Sequence, residues 1–171
     1  MNLEKKGKIL LCLYVLSLVW ILLFKFSLSW HEIIQQSHDY HRSLNLIPFS
    51  EPVIVNGKPL LKEMAYNIII FVPFGGLLTI LLKKNTWYKS LSIIFLFSIV
   101  IECLQFIFSL GASDITDVIT NAFGGLLGIL VYKLLDKYIN TKKLDKFLIN
   151  FGMIIFIILI IGIILLLAMN I

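Results

Sequence analysis

Glu102 and Gln105 stand three residues apart within an otherwise apolar stretch, Trp87 to Leu110, so helical spacing puts both on one face. Asp114, Asp117 and Asn121 follow at steps of three and four and share a face of the next apolar segment. Asn67 lies near the start of another. A carboxylate can take up a proton, ligate a cation or gather several donors, whereas an amide both donates and accepts. In hydrocarbon an ionisable side chain costs about 2.5–3.5 kcal/mol on insertion scales, so its retention there points to a task. Arg42 joins from the segment before Asn67, since its guanidinium fork fits a phosphate or carboxylate. The polar cluster expected to bind a ligand is thus Arg42, Asn67, Glu102, Gln105, Asp114, Asp117 and Asn121.

Most of these residues also have an ordinary structural role. Asp114 precedes an apolar run, as a helix N-cap does. Asp117 and Asn121 suit hydrogen bonds between helices, and Arg42 suits a solvated loop. That alternative is weakest for Glu102, because a carboxylate so far from a helix end is expensive to keep. Gly124, Gly125 and Gly128 continue the Asp117–Asn121 side, where small residues let another helix backbone come close. Pro73, followed by Phe74 and Gly75, removes a backbone donor and predicts a kink or break whose freed carbonyls need other partners. Broken helix, glycine face and polar residues are expected to converge on one pocket.

Composition identifies the elements that must position them. Of 171 residues, 59% are hydrophobic and 15% charged, and mean hydropathy is +0.95. Soluble domains carry about 25% charged residues, and so short a chain has too little interior to hide this much apolar surface. Thirteen Phe and long Ile/Leu runs exclude disorder. Five stretches approach the roughly 20 apolar residues of a membrane helix: Ile9–Leu28, Met64–Leu82, Trp87–Leu110, Ile115–Leu135 and Phe147–Met169. The short alternating strands of a barrel are missing. The fold class expected is all-α, a polytopic membrane bundle of about five transmembrane helices.

The expected organisation is an N-terminal transmembrane anchor (1–28), an extracytoplasmic loop (29–63), a three-helix core (64–135), a cytoplasmic basic loop (136–146) and a C-terminal transmembrane helix (147–171). Most of the fifteen basic residues then fall before the first helix, in the Lys83–Lys89 turn and in the Lys133–Lys146 segment. By the positive-inside rule, this places the N-terminus in and the C-terminus out. A cleavable signal ending near Ser27–Leu28–Ser29 is disfavoured, because the apolar stretch exceeds the usual h-region. The net charge of +5 forms flanks rather than a stripe, so no nucleic acid partner is expected. Cys12 and Cys103 lie within membrane segments and give no disulfide or zinc framework. His31, His38 and His41 lack partner ligands, and neither a metal nor a cofactor is assigned.

These residues resemble the VanZ-like family of bacterial membrane proteins. Arg42-Ser43-Leu44-Asn45-Leu46-Ile47-Pro48-Phe49 is similar to the family's R-x-x-N-L-I-P-F stretch, a resemblance that adds Asn45 to the expected ligand-binding cluster, and Asn67, Phe71, Pro73, Phe74 and Gly75 are similar to its N-x-x-x-F-x-P-F-G. Glu102-Cys103-Leu104-Gln105, then Asp114, Asp117, Asn121, Gly124, Gly125 and Gly128, make the third block. Many members carry Arg in a G-R-x-x-D turn, where this chain has Gly111-Ala112-Ser113-Asp114. The resemblance implies a cell-envelope role at the bacterial plasma membrane, with lowered susceptibility to teicoplanin-type lipoglycopeptides. The expected partners are the lipid bilayer and a lipid-linked cell-wall precursor or lipoglycopeptide; no oligomeric state is assigned. The leading reading is non-catalytic binding or alteration of an envelope lipid or precursor, since no nucleophile elbow or Ser–His pair is present at membrane depth. An intramembrane metal-dependent enzyme acting on a lipid phosphate and a small proton-coupled transporter are the alternatives.

Overall fold

The computed structural model describes residues 2–24, 43–49, 61–82, 87–110 and 112–169. They form helix α1 (Leu3–Phe24), strand β1 (Leu44–Asn45), helices α2 (Leu61–Leu82) and α3 (Trp87–Phe108), strand β2 (Ser113–Asp114), and helices α4 (Ile115–Tyr138) and α5 (Thr141–Met169). All five helices are long and apolar enough to cross a membrane. Even the 22-residue helices rise about 33 Å, against a hydrocarbon core of about 30 Å. The expected all-α bundle is therefore the fold observed.

α2 and α4 form its centre. An added Cβ at Gly124 would run into the Ile68 backbone, one at Gly128 into the Val72 carbonyl, and one at Gly75 into the Gly125 carbonyl. The partner positions advance by four on both helices, Ile68 to Val72 and Gly124 to Gly128, as parallel neighbours in backbone contact require. Around this seam Phe71, Phe74 and Ile129 are buried with Leu18 of α1 and Ile94 of α3. Phe97 completes an aromatic cluster, with ring centroids 6.2 Å from Phe71 and 5.3 Å from Phe74.

The break expected at Pro73 does not form: α2 runs through it from Leu61 to Leu82. Close packing against α4 holds the backbone, and the Tyr14 hydroxyl of α1 donates to the Ile70 carbonyl at 2.7 Å, within the turn that the proline disturbs. Neighbouring helices commonly make membrane prolines tolerable in this way. The basic segment 136–146, expected as a loop, is helical except for Ile139 and Asn140. Asn140 explains the early start of α5, since its Oδ1 accepts the Lys142 N–H at 3.1 Å and so caps the helix.

α3 ends in a Schellman turn. Ser109 takes the left-handed conformation at φ 54°, its N–H reaches the Phe106 carbonyl, and the Leu110 N–H reaches the Gln105 carbonyl at 3.0 Å. Leu110 is then buried against Leu23 and Ile101, which fixes where the chain leaves α3. The next residues pair in parallel with β1, Leu44 opposite Ser113 and Asn45 opposite Asp114. The ladder, the end of α1 and the starts of α2 and α4 gather the polar side chains at one end of the bundle. Lysines mark the other.

Candidate functional site

The polar end is built around the start of α4. Asp114 is its N-cap: backbone φ −129° and ψ 126° turn the chain into the helix, and Oδ1 accepts the Thr116 N–H at 2.7 Å. Its other oxygen accepts from Asn45 Nδ2 at 3.1 Å, across 69 residues of sequence. Its own backbone N–H donates to Glu102 Oε2 at 2.9 Å. Glu102 is only 6% exposed and also hydrogen-bonds the Ser113 side chain. A carboxyl group inside the apolar bundle is thus met by donors from the β2 strand, which satisfies the requirement that a buried polar group be hydrogen-bonded.

Asn45 works in both directions. While Nδ2 holds Asp114, Oδ1 accepts the Ile47 N–H at 3.1 Å and shapes the turn leading to Pro48. Phe49, at φ 56°, donates its N–H to Thr116 Oγ1 at 3.1 Å, so the segment is pinned to α4 twice. Asn67 of α2 donates to Asp117 Oδ1 at 2.8 Å. Asn45, Glu102 and Asp114 are therefore brought together directly, with the Asn67–Asp117 pair one turn along α4.

Two predicted members face other partners. Asn121, fully buried, donates to Ser98 Oγ on α3 at 2.8 Å and leaves Oδ1 without a partner among the described residues. Gln105 donates Nε2 to the Leu22 carbonyl at 3.1 Å, supplying one of the carbonyls that the last turn of α1 cannot satisfy internally. Its Oε1 is likewise buried and unpartnered among those residues. Arg42 lies outside the described residues, as do His31, His38 and His41. Of the predicted small residues, Gly75, Gly124 and Gly128 line the α2–α4 seam, while the missing side chain of Gly125 makes room for Ile94 of α3. No three His, Cys, Asp or Glu side chains among the described residues come together as a metal-holding group.

A VanZ/LLP1 family model matches residues 11–136. Protein VanZ of Enterococcus faecium is 40% identical over 159 residues, covering 91% of this chain and 93% of that protein. The chain belongs to the VanZ/LLP1 family. No solved structure is significantly similar. With five membrane-length helices, this VanZ-family chain is a bacterial multi-pass membrane protein. The family match takes in most of α1 as well as the Arg42–Val131 stretch that carried the resemblance, and α5 lies beyond it.

Sequence reasoning missed several residues that hold the polar cluster in place. Thr116 is 1% exposed and receives Phe49; Ser98 is fully buried and receives Asn121. Ser98 did carry a signal, because it precedes Glu102 by four and so extends the Glu102–Gln105 stripe by a turn. Ser113 and Tyr14 carried none, since their partners are distant in sequence.

Proposed function

We propose that this protein acts in the bacterial plasma membrane and lowers susceptibility to teicoplanin-type lipoglycopeptides by binding or altering a lipid or cell-wall precursor at its outer face. The observation that carries the reading is the Glu102–Asp114–Asn45 cluster, held at one end of the bundle and joined to a surface turn. A carboxyl group can accept hydrogen bonds at both of its oxygens. The bonds described for Glu102 and Asp114 leave acceptor capacity that suits a ligand rich in N–H and O–H donors, such as the peptide and sugar parts of a precursor. Arg42, beside this turn in sequence, complements an anionic group of the same ligand. The charge asymmetry of the chain supports placing this end outside, where glycopeptides meet their target.

The test is expression of wild type, Glu102→Gln and Asp117→Asn in a susceptible Gram-positive host, with teicoplanin susceptibility compared at equal protein abundance. Gln keeps an oxygen for the Asp114 N–H but replaces the acid with an amide, so folding and function separate. Wild type is expected to protect and both variants to lose protection. Equal protection by all three would remove the polar cluster from the mechanism, and no protection by wild type would overturn the reading.

A further inference from the structure

At the opposite end from the polar cluster, α5 stands off from α2 and α4 and leaves a groove of about 350 Å³. Its floor is Val72, Pro73 and Gly76 of α2 with Gly128 of α4, and its lips are Val131 on α4 and Phe151 and Ile155 on α5. Gly76 borders this space: a Cβ there would touch nothing nearer than the Gly128 carbonyl at 4.0 Å. The lining is almost wholly hydrocarbon. Two tyrosines enter it, and the hydrogen bonds of both hydroxyls lead elsewhere, Tyr14 to the Ile70 carbonyl and Tyr132 to Asp145 Oδ1 at 2.6 Å. An apolar cavity of this kind stays dry and takes hydrocarbon, and its volume lies within the range of ordinary ligand pockets.

Phe151 also borders an open, shallow stretch of the α5 surface, where Phe147, Asn150 and Ile154 stand beside the cations Lys143 and Lys146. Phe147 and Phe151 stack at 5.7 Å between ring centroids, so an aromatic step separates the apolar groove from the lysines. Because Phe151 borders both, a lipid with one acyl chain in the groove would carry its headgroup around the aromatic edge of α5 toward the two ammonium groups.

We propose that this groove holds one acyl chain of an anionic glycerophospholipid whose phosphate is bound by Lys143 and Lys146. The site is separate from the polar cluster and does not rest on its function. Lysines near a membrane surface favour anionic lipid by about 1 kcal/mol each, so two favour it over a zwitterionic lipid by about tenfold or more. Asp145, between them in sequence, turns its Oδ1 to the Tyr132 hydroxyl and makes no ion pair with either lysine among the described residues.

The test uses the full chain in mild detergent, titrated separately with phosphatidylglycerol and phosphatidylcholine of the same acyl composition and read by native mass spectrometry. Wild type is expected to retain one phosphatidylglycerol about tenfold more strongly than phosphatidylcholine. Replacing both cations, K143Q with K146Q, should bring the two lipids level. Gly76→Leu and, independently, Val131→Trp at the exposed lip should reduce retention of both lipids, with circular dichroism confirming that each variant is helical. Equal retention of the two lipids by wild type, undiminished binding by folded groove variants, or a second copy of the chain bound in place of lipid would each overturn the assignment.

Discussion

Asp114 uses each part of one residue for a different contact: Oδ1 caps α4, Oδ2 holds Asn45, and the backbone N–H meets Glu102. The ordinary N-cap role and the candidate site therefore coincide in a single side chain. Asp114→Ala is expected to lose both side-chain bonds and to cost about 1–3 kcal/mol, read as a lowered unfolding temperature of the purified chain. Asp114→Asn keeps an oxygen for the Thr116 N–H and should retain most of that stability. An alanine variant as stable as wild type would show that the cap and the Asn45 latch contribute nothing. Spacing made much of this scale legible, because residues three and four apart must share a helix face whatever they pack against. It could not supply partners. Gln105 shares its stripe with Glu102 yet reaches the end of α1, and nothing local in the sequence joins Asn45 to Asp114.

Between elements, the contact of α2 with α4 decides the packing, and its glycines are not equivalent. Gly128 faces the Val72 carbonyl, whereas Gly76 borders open space. Gly128→Ala should force the two helices apart and lower expression and unfolding temperature, by about 1–3 kcal/mol on the scale of an overpacked core. Gly76→Ala should be nearly silent in the same measurements. Similar losses from both would mean that the seam is not set by backbone approach at Gly128. Five apolar runs announced the helices, since each is long enough to span hydrocarbon, but their ends were less legible. Lysine is a good helix former, so the charges that suggested a loop after Leu135 are carried on helix, and the capping by Asn140 is what shortens the connection to two residues. Pro73 misled for a related reason: an isolated helix would break there, whereas α2 is held by α4 and Tyr14.

Across the whole molecule, successive helices run in alternating directions, which would put the start of α1 and the end of α5 on opposite sides of a membrane, and the two ends of the bundle differ in chemistry. Lysines crowd the end that holds the start of α1 and the α4–α5 turn, while carboxylates and amides gather where α3 meets α4. If the positive-inside rule governs insertion, the lysine end is cytoplasmic and the polar end faces out. Alkaline phosphatase fused after the C-terminus should then be active and a green fluorescent protein fusion there dark, with the pattern reversed for fusions in the α4–α5 turn at Ile139. The opposite pattern would place Glu102 and Asp114 on the cytoplasmic side, away from glycopeptide targets, and would sink the outer-face function. It would leave the phospholipid groove intact, because that site depends on neighbouring lysines and an apolar slot rather than on which leaflet they face. Topology thus distinguishes the two sites without altering either.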